Sequence, residues 1–171
     1  MKPIQSKIYH LSELISKVDS WKRQGEKIVF TNGVFDLLHQ GHIAYLEESA
    51  SLGSKLVIAV NADQSVKTLE KGPARPIKDE KSRAIILAAM GFVDAIVVFA
   101  DSTPRELIES IIPNVLVKGG DYDPNETDAS SNKYIVGREV TLSNGGEVKV
   151  IPFLEGFSTT ALEKKIIELN I

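Results

Sequence analysis

The stretch "TNGVFDLLHQGH", Thr31 to His42, brings two glycines, an aspartate and two histidines into twelve positions. Two imidazoles three residues apart can both donate to phosphate oxygens, and Gly33 and Gly41 allow backbone to approach a ligand closely. If a helix starts near Gly41, its free N–H groups and its dipole favour an anion at the same place. Blander readings exist for each residue. A lone histidine is more often a hydrogen-bonded structural group, and a lone Asp36 more often caps a turn. Zinc would need a further ligand, yet His10 lies in a different amphipathic segment and the chain has no Cys. The coincidence of Gly, Asp, two His and Gly in one short loop favours a phosphate clamp formed by His39 and His42.

Three other places carry suitable groups. Lys118 in "VKGGD" would set an ammonium beside two glycines, where it can bind phosphate or contact a second substrate, against the bland reading of a solvated lysine. Ser158, Thr159 and Thr160 read as a helix start, with Ser158 as its cap; the same geometry offers hydroxyls and N–H groups to phosphates. Arg75 and Arg83, flanking Pro76 in a loop and at a helix start, can grip a phosphate bidentately, although surface arginines are common.

The elements that must position these groups follow from periodicity. Leu11, Leu14, Ile15, Val18 and Trp21 stand at helical spacing, and "KIVFT" (Lys27 to Thr31) reads as a buried strand that ends at the turn residues Asn32-Gly33. A helix opened by His42 runs to Gly53, read as its left-handed stop. Strands at Lys55–Val60, Ala95–Phe99, Val115–Lys118 and Glu147–Phe153 alternate with helices near Lys81–Met90, Thr103–Ile112 and from Ser158 onward. A short helix is expected within Tyr134–Leu142, and loops at Glu70–Arg83 and Asp121–Tyr134. Alternating strand and helix with continuous apolar strands implies an α/β, doubly wound parallel sheet covered on both faces. Ligands of such sheets bind at the carboxyl ends of the strands, where Asn61 and Asp63 also fall and can reach sugar hydroxyls.

Composition bounds the partners. The 171 residues, 43% hydrophobic and 25% charged, suit one globular domain, and a net charge of −3 gives no field to recruit nucleic acid or an anionic membrane. No run approaches a spanning helix and the start lacks a signal-peptide core, so the chain is expected to be cytoplasmic.

"GVFDLLHQGH" resembles the G-x-F-D-x-x-H-x-G-H signature of the nucleotidyltransferase superfamily, and "FSTT" (Phe157 to Thr160) resembles its second motif. Further matches at "VNADQSVKTLEKGPARP", "KGGDY" and "GGEVKVIPFLEGFSTT" look like one branch, the heptose 1-phosphate adenylyltransferases of ADP-heptose synthesis. Val34 stands where that branch more often has Cys, a small apolar change without chemistry, and the Asp121–Tyr134 loop is a few residues longer. The resemblance covers nearly the whole chain. It implies a Rossmann-like HxGH (HUP-type) fold, a single domain over 1–171 with 1–25 as a helical segment packed on the core, and a homodimer.

The implied reaction is transfer of AMP from ATP to D-glycero-D-manno-heptose 1-phosphate, with Mg2+ carried by ATP and no dedicated carboxylate cage. Expected nucleotide contacts are Asn32, Gly33, Phe35, His39, Gly41, His42, Gly119, Asp121, Ser158, Thr159 and Thr160, with His42 at the transferring α-phosphate. Expected acceptor contacts are Asp36, Asn61, Asp63, Arg75, Arg83 and Lys118; His39, His42 and Lys118 would be catalytic. The imidazoles are expected to be cationic beside phosphate. A cytidylyltransferase acting on glycerol 3-phosphate, and a nucleotide-binding protein without turnover, are the alternatives.

Overall fold

A computed structural model of the chain describes residues 3–68 and 75–169. Of the expected Glu70–Arg83 loop, residues 70–74 lie outside the described residues. In chain order the elements are a 3-10 turn (Ile4–Lys7), β1 (Ile8–Tyr9), α1 (Leu11–Arg23), β2 (Ile28–Gly33), α2 (Gln40–Ser51), β3 (Lys55–Asn61), α3 (Asp63–Lys67), α4 (Glu80–Ala88), β4 (Ala95–Phe99), α5 (Arg105–Ile111), β5 (Val115–Gly119), α6 (Arg138–Ser143), β6 (Glu147–Ile151) and α7 (Thr159–Glu168). The strands form one sheet in the order β1-β4-β3-β2-β5-β6, and all neighbouring pairs are parallel.

Strand alternation sorts the core into two layers. On one face Ile28, Phe30, Val57, Ala59, Val97 and Leu116 pack under Leu14, Val18 and Trp21 of α1 and Leu107, Ile108 and Ile111 of α5. On the other face Val29, Ile58, Val60, Ile96 and Val117 meet Leu46 of α2 and Ala84, Leu87 and Ala88 of α4. The inner strands are buried on both sides, which is why they read as unbroken apolar runs. Among the described residues no helix is long and apolar enough to cross a membrane.

Several boundaries differ from expectation for identifiable reasons. Asn32 and Gly33 belong to β2 because they pair with Ala59 and Val60, so tertiary pairing overrides their turn preference. Helix α2 begins at Gln40 with His39 as its N-cap, two residues before His42. Gly53 is not left-handed; a Cβ there would lie 2.6 Å from the Lys27 carbonyl oxygen, so the position needs glycine for close approach. The two-residue β1 and the single-turn α3 were too short to carry a period.

The order of strands reverses at β2, with β3 on one side and β5 on the other. Whereas β2 pairs with β3 over six positions, it pairs with β5 only at Val29 with Val115 and Phe30 with Leu116. Beyond Phe30 the two strands part. A crevice therefore opens at the carboxyl edge of the sheet, where ligands bind in folds of this type.

Candidate active site

The crevice leads into a cleft of about 790 Å³. Asn32, Gly33, Phe35, Asp36, His39, Gly41 and His42 line it from the β2–α2 loop, Asn61 from β3, Lys118 and Gly119 from β5, Arg75 from the segment before α4, and Ser158, Thr159 and Thr160 from the start of α7. The paired imidazoles and the hydroxyl triplet, over a hundred residues apart in sequence, thus face one volume. Two helices of twelve and ten residues also begin there, so their positive ends add to the field.

The histidine rings lie 3.9 Å apart between centroids, and Phe35 meets His42 edge-on at 5.7 Å. Phe35 has φ of +53°, a region bulky side chains avoid, and its ring covers Gly33. Gly41 is small because the His39 ring lies over it: a Cβ there would be 3.0 Å from His39 Nδ1 and Cε1. Burial holds the His39 imidazole below its ordinary value, and its buried Nδ1 has no hydrogen-bond partner among the described residues. The expectation of a cationic His39 concerns the ring beside phosphate; on its own, desolvation favours the neutral form and an anion would reverse the balance.

Lys118 crosses the gap between β5 and β2. Its Nζ donates to Asn32 Oδ1 and stands 5.5 Å from the centre of the Tyr122 ring. Burial pushes its pKa down to about 8. Tyr45 of α2 fills the gap from below: its hydroxyl is 2.6 Å from Thr31 Oγ1 and donates to the Val117 carbonyl at 3.3 Å. Burial pushes the Tyr45 phenol up to about 12, so it stays a neutral partner.

Asp36 lines the cleft but is tied to the segment before α4. Its carboxylate accepts from the backbone N–H groups of Ile77 and Lys78, both at 2.8 Å, and from Arg75 Nη1 at 2.7 Å. Burial alone would raise its pKa, but these donors outweigh it and hold the carboxyl below the usual carboxylate range. Asp36 is thus the anchor of the 75–78 segment. Its contribution to stability is present above the ordinary carboxylate pKa and fades as pH falls through the lowered one. Replacing Asp36 by Ala is expected to cost about 3 kcal/mol, since three donors lose a buried anion. Denaturant midpoints would reveal it, and a loss under about 1 kcal/mol would refute the anchoring role.

Arg83, Asp63 and Asp121, expected to contact substrates, are not among the residues that line the cleft. Arg83 is fully buried and its guanidinium is committed to the Lys78 and Val34 carbonyls and to Asp63 Oδ1, the last at 2.6 Å. It ties α4 to the β2–α2 loop and to α3, and Asp63 is occupied by the same bond. Asp121 is exposed. Asn61 stays in the cleft wall, where its amide donates to Ser65 Oγ. Ser158 caps α7 by accepting from Ala161 N–H at 3.0 Å. His10 sits at the start of α1, outside the cleft lining, and no group of three or more potential metal ligands occurs among the described residues.

The family described as cytidylyltransferase-like matches residues 30–165, which take in the whole cleft wall. The chain belongs to that family of nucleotidyltransferases. It is 52% identical over 161 residues to the bifunctional protein HldE of Koribacter versatilis (strain Ellin345), a match covering 94% of this chain and 31% of that protein. The chain thus spans about a third of the length of this curated relative. Among solved structures it resembles the lipopolysaccharide core biosynthesis protein from Thermoplasma volcanium GSS1, with TM-score 0.57 and 29% identity over 76% of this chain and 98% of that one. It also shares its fold with a pantoate-beta-alanine ligase from Francisella tularensis, with TM-score 0.57 and 14% identity over 96% of this chain and 78% of the other.

This cytidylyltransferase-like cleft has walls that residue types alone did not announce. Tyr122, Tyr134 and Val136 reach it from the long loop after β5, which is folded by side-chain turns such as Asn125 N–H to Asp123 Oδ1 at 2.8 Å. Phe153 lies across Gly120, whose φ of +76° and contact with that ring leave no room for a side chain. Glu163 faces the cleft from α7 and accepts from Arg75 Nη2. The sequence carries no signal for the Phe153 wall, because Gly119 and Gly120 lie over thirty residues away from it.

Proposed function

We propose that this domain is an adenylyltransferase that joins AMP from ATP to D-glycero-D-manno-heptose 1-phosphate, releasing pyrophosphate and forming ADP-heptose. The observation that carries the reading is the convergence of His39, His42, Lys118 and the Ser158–Thr160 start of α7 on one cleft at the point where strand order reverses. Support for the heptose comes from the branch-specific stretches, from about half identity to a protein named HldE, and from likeness to a Thermoplasma protein of lipopolysaccharide core biosynthesis.

In this reading an oxygen of the sugar phosphate attacks the α-phosphorus of ATP in line, and the bond from that phosphorus to the β-bridging oxygen breaks. The acceptor is already anionic, so no side chain need attack. The protein holds the two reactants in line and stabilises the charge that grows on the α-phosphate and the departing pyrophosphate. His42 serves the α-phosphate, His39 and the α7 start the β- and γ-phosphates, and Lys118 bridges acceptor and nucleotide. Arg75 serves the acceptor phosphate.

Magnesium would travel on the triphosphate. The two carboxylates that line the cleft, Asp36 and Glu163, both engage Arg75, so the described residues offer no ready carboxylate set for a divalent ion. Bound to the phosphates, the metal would neutralise charge on the leaving group.

Pyrophosphate release measured with ATP or CTP, each paired with heptose 1-phosphate or glycerol 3-phosphate, tests the assignment. Turnover is expected with ATP and the heptose phosphate. Turnover with CTP and none with ATP would overturn it.

A further inference from the structure

The transfer chemistry leaves Glu163 without a task. It stands on α7, one turn past Thr159 and Thr160, and puts a negative charge into a wall otherwise suited to phosphates. Its partner is Arg75, whose Nη1 is held by Asp36 at 2.7 Å while Nη2 donates to Glu163.

The two carboxylates on this guanidinium are not equivalent. The Asp36 side chain is 4% exposed and receives two backbone N–H groups besides the arginine, whereas that of Glu163 is 39% exposed and accepts no other hydrogen bond among the described residues. One end of Arg75 is therefore fixed and the other is held by a carboxylate that can leave. A guanidinium edge that accepts a carboxylate also accepts a phosphate, with the same planar fork.

We propose that Glu163 is a built-in stand-in for a substrate phosphate: it keeps the outer edge of Arg75 aimed into the cleft and yields that edge when a phosphate arrives. The phosphate is either that of the sugar acceptor or a terminal one of the nucleotide; the chemistry is shared. This rests on the transfer reading above. The exchange has a measurable consequence, since every substrate that uses Arg75 must first displace an anion. Removing that anion strengthens binding, whereas breaking a merely structural tether weakens it or leaves it unchanged.

The test is Glu163→Gln, which keeps shape and removes charge. The KM for ATP and for heptose 1-phosphate is measured in the wild type and the variant, with calorimetric titrations of ATP and of inorganic phosphate beside them. The KM of the substrate whose phosphate meets Arg75 is expected to fall by about twofold to tenfold, the range of a partly exposed ion pair, with kcat changing less. A fall for the acceptor names its 1-phosphate, and a fall for ATP names the terminal phosphates. In an Arg75→Gln background the same change at 163 is expected to have no effect, because the two residues act as one unit. If Glu163→Gln raises both constants, or leaves both constants and both titrations unchanged, the proposal fails. Should the wild type show no transfer to the sugar phosphate, the function assigned above fails by itself; the ATP and phosphate titrations then decide the stand-in, tightening supporting it and no tightening ending it.

Discussion

Substituting His42 by alanine is expected to lower kcat by about two to three orders of magnitude while ATP affinity changes by less than about tenfold. The asymmetry follows from where the ring sits. His42 lies in the first turn of α2, its ring against His39 at 3.9 Å and edge-on to Phe35, so it has little rotational freedom and needs no reorganisation as charge builds on the α-phosphate. Binding, in the proposed reaction, would be spread over His39, Lys118, the two helix starts and the Ser158–Thr160 hydroxyls, all of which line the cleft. Loss of a group used mainly in the transition state lowers kcat, and loss of one used equally in ground and transition states raises KM. Steady-state kinetics with a direct ATP titration separates the two. Should the variant keep kcat within about threefold and lose ATP binding instead, His42 is a binding group and a nucleotide-binding protein without turnover gains ground. His42→Asn serves as the control for packing around Phe35.

For Lys118 the expected result is a pH profile. Its pKa of about 8, set by burial, puts the loss of its proton inside the working range, so kcat/KM should fall as pH climbs through about 8. Lys118→Arg should carry that decline beyond the accessible range, at a lower plateau because a guanidinium does not fit the ammonium's place beside Asn32. Lys118→Met should remove about two to three orders of magnitude below about pH 8 and abolish the decline above it. Stability runs the other way. In the unfolded chain the amine keeps its proton up to about 10.4, so between about 8 and 10 the unfolded state binds more protons and this group's contribution to stability rises with pH. A decline in kcat/KM above pH 8 without a matching decline in Tm identifies titration, and parallel declines would point to unfolding. A flat profile from 7 to 9.5 would remove Lys118 from the transfer step.

Much of this could be read from residues alone, and the exceptions share a cause. The strands were legible because those buried on both faces are short, β-branched apolar runs, as in "KLVIAV" and "AIVVF". The first loop was legible because glycines and histidines have few other reasons to cluster. The burial of Arg83 was not legible because charge predicts exposure, and nothing local says that two carbonyls and Asp63 wait to satisfy a buried guanidinium. The ties of Asp36 were hidden for a related reason. Its partners, Arg75, Ile77 and Lys78, come from forty residues away. Glu163 reads as one more solvated charge on an amphipathic helix until folding brings α7 against the 75–78 segment. Long-range electrostatic pairing is the part of a fold that a single sequence displays least.

The gap between β2 and β5 ties sheet geometry to the aim of a side chain. Tyr45 stands three residues beyond His42 on the same helix, so both project from one side of the cylinder, and the phenol is pinned to Thr31 and Val117. A helix fastened at one point along a face cannot roll about its axis without moving every group on that face. The tyrosine hydroxyl is in effect a locating dowel for the imidazole one turn away, and the missing backbone pairing of the central strands is the socket that receives it.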